Sequence, residues 1–116
     1  MTGAMVHLKT SPDGTLVIRP RDILDAGDAV ELRRTLVHAV RRLRPPRLVL
    51  DLHGVRSLDS INVGTLAAAC QLGDDHQVTI FLDHPTQIIA DQLTAAGVPH
   101  HQLRHIDAVN PAPPPS

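Results

Sequence analysis

With 116 residues and a formal charge of -1 at pH 7, the chain suits one domain that buries roughly two thirds of the surface its unfolded form exposes. Apolar residues make up 42% of it, but they are Leu, Val, Ile and Ala, with Phe81 in place of any Tyr or Trp. A nucleic-acid face built on stacked aromatics is thereby excluded, and the near-neutral charge gives no electrostatic reason to expect DNA, RNA or an anionic membrane as partner.

Residues 5–9 and 15–19 alternate loosely between apolar and polar, and the SPDG between them (residues 11–14) has Pro, Asp and Gly in reverse-turn order, so a hairpin is predicted. Ala29, Leu32, Leu36, Ala39, Val40 and Leu43 then recur at three- and four-residue spacing, the stripe of an amphipathic helix. Asp25 is its N-cap candidate. Asp28 and Glu31 complement the positive end of the helix dipole, and Arg41, Arg42 and Arg44 the negative end. Pro45 and Pro46 stop it, and the basic run over residues 33–47 reads as its solvated side.

RLVLDL (residues 47–52) is a near-continuous apolar run of the kind buried on both faces of a sheet, which predicts a central strand. VGTLAAACQL (residues 63–72) puts Val63, Leu66, Ala67, Ala69 and Cys70 on one side of a second helix, with Gly73 as its C-cap. HQVTIFL (residues 76–82) predicts another strand. HPTQIIADQLTAAG (residues 84–97) opens with Pro85, carries Ile88, Ile89, Leu93 and Ala96, and closes at Gly97 as a third helix. A short edge strand around Leu103 and the extended, proline-rich NPAPPPS complete the chain. This order implies an α/β fold, a mixed sheet of about four to five strands with helices packed on it and an N-terminal hairpin. Residues 1–108 are expected to form the domain and residues 109–116 a disordered tail.

Cys70 is the only cysteine, so neither a disulfide framework nor a thiolate metal site is available, in keeping with a reducing cytoplasm. It is expected to be a buried core residue. The start of the sequence lacks a secretory pattern, and no window approaches the run of about 20 apolar residues a membrane helix requires. His100, His101 and His105 form the densest histidine group, yet Pro99 and the absence of a nearby cysteine or acidic cluster favour a solvated segment over a zinc site. Hydrolase chemistry is disfavoured because Ser60 lacks a Gly-x-Ser-x-Gly elbow, and HGVRSLDS has neither the glycines nor the lysine of a phosphate loop.

The remaining question is SLDSINVG (residues 57–64), polar residues between an apolar strand and an alanine-rich helix. Asp59 or Ser60 at that junction can cap the helix by accepting from amides without intrahelical partners. Leu58 can pack on Val63 as a hydrophobic staple.

Three segments carry a resemblance: DILD (residues 22–25), RLVLDLHGVRSLDSINVGTL (residues 47–66) and HPTQIIADQLTAAGV (residues 84–98). Together they resemble the STAS domain of bacterial anti-sigma factor antagonists over about residues 5–106. In that family a strand leads into Asp-Ser, then Ser or Thr, Gly, an aliphatic residue and Gly, then an apolar helix. Here those positions hold Asp59, Ser60, Ile61, Asn62, Val63 and Gly64. Ile61 thus stands at the family's second hydroxyl and Asn62 at its first glycine, and HIDAVNPAPPPS leaves no room for the C-terminal helix of many members.

The resemblance implies a STAS-type mixed sheet and a non-enzymatic, cytoplasmic switch in bacterial transcription control, with no cofactor or metal and no nucleic-acid or membrane partner. Family members bind an anti-sigma factor, often one that is also a serine kinase, and so free the sigma factor it held. The kinase phosphorylates the serine after the aspartate, which weakens binding, and a separate phosphatase restores the active form. By position Ser60 is that phosphoacceptor and Asp25 an acidic residue of the partner-facing surface, to which Asp59, Ile61 and Asn62 are expected to contribute. The alternative is a STAS interaction or ligand-sensing module that is never phosphorylated.

Overall fold

The computed structural model describes residues 6–20, 23–24 and 28–106. Strands β1 (Val6–Thr10) and β2 (Leu16–Pro20) pair antiparallel, with Thr10 opposite Leu16. The SPDG turn closes as expected. Gly14 N–H donates to the Ser11 carbonyl at 2.9 Å, and Asp13 Oδ1 accepts from Thr15 N–H at 3.0 Å. Gly14 has φ +89°, a conformation that glycine adopts without steric cost.

The chain continues through β3 (Ile23–Leu24), α1 (Ala29–His38) with a π-helical last turn (Ala39–Leu43), β4 (Arg47–Asp51), β5 (Ser57–Leu58) and α2 (Ser60–Asp75). Then come β6 (Thr79–Asp83), α3 (Gln87–Ala95), a 3-10 turn (His100–Gln102) and β7 (Leu103–Arg104). The main sheet has the order β1-β2-β4-β6-β7, with β1 antiparallel and the other strands parallel, while β3 and β5 form a separate parallel pair. This is the expected mixed α/β sheet with its N-terminal hairpin.

Register puts Leu16, Leu48 and Ile80 in one row across the sheet and Ile18, Leu50 and Leu82 in the next. All six are buried in one cluster with Leu32, Leu36, Leu66, Cys70, Ile89 and Leu93 from the helices. Each fully buried Leu or Ile contributes about 1.5–3 kcal/mol. The alternate row, Val17, Val49 and Phe81, points to the opposite face.

Val17 and Phe81 are only half-buried, and Val49 lies outside the core cluster. The central strand is nevertheless buried on both faces as expected, at Leu48 and Leu50 on one and Val49 on the other, with Leu48 and Leu50 alone joining the main core cluster. On the other face Arg104 lies 4.0 Å over the Phe81 ring and makes paired bonds to Asp83, each 2.7 Å, which push the guanidinium pKa further up. Asp51 pairs with Arg19 at 3.0 Å on the neighbouring strands.

The helices depart from expectation at their ends. Arg44 N–H donates to the Ala39 carbonyl five residues back at 2.9 Å, and this wider turn carries Leu43 off the buried stripe to 52% exposure. Arg44 then takes a left-handed conformation, and Pro45 and Pro46 follow as predicted.

Gly73 is not the cap of α2. The helix runs on to Asp75, and Gln77 takes the left-handed position (φ +61°), with Val78 N–H donating to the Gly73 carbonyl at 2.8 Å in a Schellman turn. That turn delays β6 to Thr79, where the sequence predicted a strand from His76. In α3 the N-cap is Thr86, whose hydroxyl accepts from Ile89 N–H at 3.2 Å, and the buried side is Ile89, Ala90 and Leu93. Ile88 and Ala96 face solvent, and Gly97 closes the helix as predicted, at φ +102°. The expected Asp25 cap, the expected tail at 109–116 and the expected lack of a C-terminal helix all concern positions outside the described residues.

Candidate functional site

The end of β4 builds a platform for the polar junction. Asp51 Oδ1 accepts from His53 N–H at 3.0 Å, Leu52 N–H reaches the Asp83 carbonyl at 2.8 Å, and Val55 N–H closes a turn onto the Leu52 carbonyl at 2.9 Å. Gly54 sits at φ +91° in that turn, the left-handed place that favours glycine. Val55, almost fully buried, plugs the loop into the core. Ser57 and Leu58 then pair with Ile23 and Leu24, so the segment leading to Asp59 runs alongside the one leading to Asp25. Gln92 of α3 donates to the Leu58 carbonyl at 3.4 Å and ties the junction to a third element.

Of the two cap candidates, Asp59 is the one used. Its backbone is extended, and Oδ1 accepts both Asn62 N–H at 2.9 Å and Asn62 Nδ2 at 2.8 Å. Leu58 and Val63 are both buried in the core, in the positions of the staple. Ser60 is thereby left as the first residue of α2, exposed, at the positive end of the helix dipole. Ile61 beside it is 54% exposed.

Asn62 departs from expectation: it is completely buried and presents no surface to a partner. Its amide instead fixes the carboxylate of Asp59. Replacing Asp59 by Ala is expected to cost about 0.5–2 kcal/mol through the lost cap, at the upper end because Asn62 loses a buried partner as well. Urea titration of the two proteins measures it, and equal midpoints would show that the cap is energetically idle.

Asp59, Ser60 and Ile61 are thus brought together, Asn62 lies beneath them, and Asp25 falls outside the described residues. A grouping the sequence did not reveal lies at the same sheet edge. His53, His84 and His105 follow β4, β6 and β7, with His84 5.9 Å from His53 and 5.2 Å from His105 between ring centroids. Parallel topology gathers strand ends that are far apart in sequence, whereas local spacing had pointed to His100, His101 and His105. Among the described residues no group of three or more possible ligands is placed to hold a metal ion. Cys70 is buried, and burial, with a smaller contribution from Asp74, pushes its thiol up to about 12, so it stays protonated at neutral pH.

The model of the STAS domain matches residues 8–109, and the chain belongs to that family. No curated protein matches the sequence. Among solved structures, a serine-to-glutamate form of Moorella thermoacetica RsbS superposes with a TM-score of 0.74 at 17% identity, covering 90% of this chain and 89% of that one. The phosphorylated form of the Bacillus cell fate determinant SpoIIAA gives 0.73 at 16% identity, over 88% and 91% of the two chains. The anti-sigma factor antagonist SpoIIAA in its unphosphorylated form gives 0.71 at 15% identity, over 88% of each. At these identities the shared property is the fold. No helix among the described residues is long and apolar enough to cross a membrane.

Proposed function

We propose that this chain is a cytoplasmic, non-enzymatic anti-sigma factor antagonist, which binds an anti-sigma factor that is also a serine kinase and is switched off by phosphorylation of Ser60. The observation that carries the reading is the placement of Ser60, exposed at the first position of α2 directly after the carboxylate that caps it. The fold is one in which SpoIIAA has been solved both with and without phosphate.

A phosphate on Ser60 adds about -1.5 to -2 charge at the end of a helix whose dipole favours anions. The fold therefore tolerates it. A partner surface shaped to a neutral hydroxyl does not, and the carboxylate of Asp59 deepens the local negative field. The partner face comprises Asp59, Ser60 and Ile61, together with Asp25, which follows in sequence on the Leu24 paired with Leu58. Asn62 acts on this face by holding Asp59. A separate phosphatase resets the switch.

Incubation with the kinase that co-purifies with the chain, and with ATP, is expected to place phosphate on Ser60 and none on a Ser60→Ala variant. Mass spectrometry that maps the phosphate to Ser57 or to another residue overturns the assignment. A second reading, a STAS module that binds its partner without phosphorylation, draws on Ile61, a half-exposed apolar side chain where the family carries a hydroxyl. A partner set unchanged by phosphatase treatment supports this second reading, and a phosphatase-sensitive set supports the first.

A further inference from the structure

A groove of about 500 Å³ opens between α1 and α2. Its α2 wall presents Ile61, Ala68 and Leu72, and its α1 wall presents Arg33, Val37 and Arg41. Spacings of four and seven residues place each set on one helix face, so the walls are two ridges with a trough between them. Ala68 is exposed, and a Cβ built on neighbouring Gly64 meets nothing within 4 Å, so the α2 backbone itself is open to close approach. A trough of this kind is the seat that a third helix fills by ridge-into-groove packing.

Charge specifies what that helix carries. Arg33 and Arg41 are exposed at the rim, and Arg34 and Arg42 flank them in the adjoining hollow on α1. Among the described residues none of the four guanidinium groups is engaged in an ion pair. The floor is apolar and recessed, made of small and aliphatic side chains. An anionic membrane would call instead for a protruding face with bulky apolar residues that sink between headgroups.

We propose that this groove docks an amphipathic helix of a partner protein, apolar on the face that enters the trough and acidic along the margin that meets the arginines of α1. The contact is separate from the phosphate switch at Ser60 and adjoins it through Ile61. It belongs to the helix-in-groove class of recognition, read by anchors at three-, four- and seven-residue spacing.

The test uses the full, unphosphorylated chain and a synthetic helix of about 18 residues, above the length at which isolated helices are marginal, with a leucine stripe bordered along one side by glutamates. A control peptide has every glutamate replaced by lysine. The acidic peptide is expected to bind, to shift the methyl resonances of Val37, Ile61, Ala68 and Leu72, and to weaken as salt is raised. The double variant Arg33→Glu/Arg41→Glu is expected to bind it about tenfold more weakly or worse. Ala68→Glu, at an exposed position, is expected to do the same, with unchanged melting temperatures showing that both variants fold.

Equal binding of the two peptides, resonance shifts elsewhere, or binding indifferent to both variants overturns the proposal. So does sedimentation that shows the groove covered by a second copy of the chain, or binding to phosphatidylserine vesicles in preference to the acidic peptide. No kinase is present, so failure here leaves Ser60 as phosphoacceptor untouched, and a Ser60 that takes no phosphate leaves the groove standing.

Discussion

Gly73→Ala is expected to destabilise the domain by about 1–3 kcal/mol, the usual cost of overpacking, although alanine is the better helix former by about 0.8–1 kcal/mol. A Cβ at position 73 would lie 2.6 Å from Ile80 Cδ1 and 2.7 Å from the Val78 carbonyl oxygen. The Ile80 side chain can move, but the carbonyl belongs to the Schellman turn that feeds β6 into the sheet between β4 and β7. Relief therefore requires either the turn or the strand to shift. Gly64, nine residues earlier on the same helix, has open space where its Cβ would be, so Gly64→Ala is expected to gain about 0.5–1 kcal/mol. Urea denaturation of the two variants should move the midpoint in opposite directions. A Gly73→Ala protein as stable as the parent would mean that the close packing of α2 on β6 is not what this glycine provides.

The other large effect concerns binding. Ser60→Glu puts a carboxylate at the first position of α2, where the helix dipole favours it by about 0.3–1 kcal/mol, so stability should hold or rise. Affinity for the anti-sigma factor should nonetheless fall. A carboxylate forced into a contact shaped to a neutral hydroxyl is desolvated without a partner, at a cost of several kcal/mol, and even about 2–3 kcal/mol corresponds to a loss of about 30- to 150-fold. Ser60→Ala should bind like the parent. The opposite signs of the two effects are the diagnostic feature, because a variant that lost binding by unfolding would lose both together. Calorimetric titration and thermal melts of the same preparations read the two quantities, and a Ser60→Glu chain that binds as tightly as Ser60→Ala contradicts a charge switch.

Local chemistry was the legible part of this sequence. The SPDG turn, the Asp59 cap with its Leu58–Val63 staple and the Gly97 terminus each depend on a few adjacent residues, and each forms where the pattern put it. Tertiary packing decided the rest. Gly73 reads as a helix stop, yet it is kept small by Ile80 and Val78, contacts that periodicity does not carry. Leu43 fits the α1 stripe by its spacing and leaves it because the final turn widens. Ile88 and Ile89 are equivalent in sequence, and only the direction from which α3 meets the core separates them.

The site was legible to the same extent. Asp59 and Ser60 could be placed by capping rules, whereas the burial of Asn62 follows from how deeply the first turn of α2 is set against the core. The His53, His84 and His105 row depends on which strand ends the parallel sheet brings together. Two-residue strands such as β3 and β5 leave no periodic trace at all, though their pairing sets Leu24 beside Leu58 at the head of the site.

Whether one phosphate at Ser60 controls association is measured most directly by a titration of the anti-sigma factor into the chain before and after stoichiometric phosphorylation, with the site confirmed by mass spectrometry. The unphosphorylated chain is expected to bind, and the Ser60-phosphorylated chain to bind at least about tenfold more weakly, a difference of about 1.4 kcal/mol, with its melting temperature unchanged or higher. Equal affinity for the two forms would contradict the account.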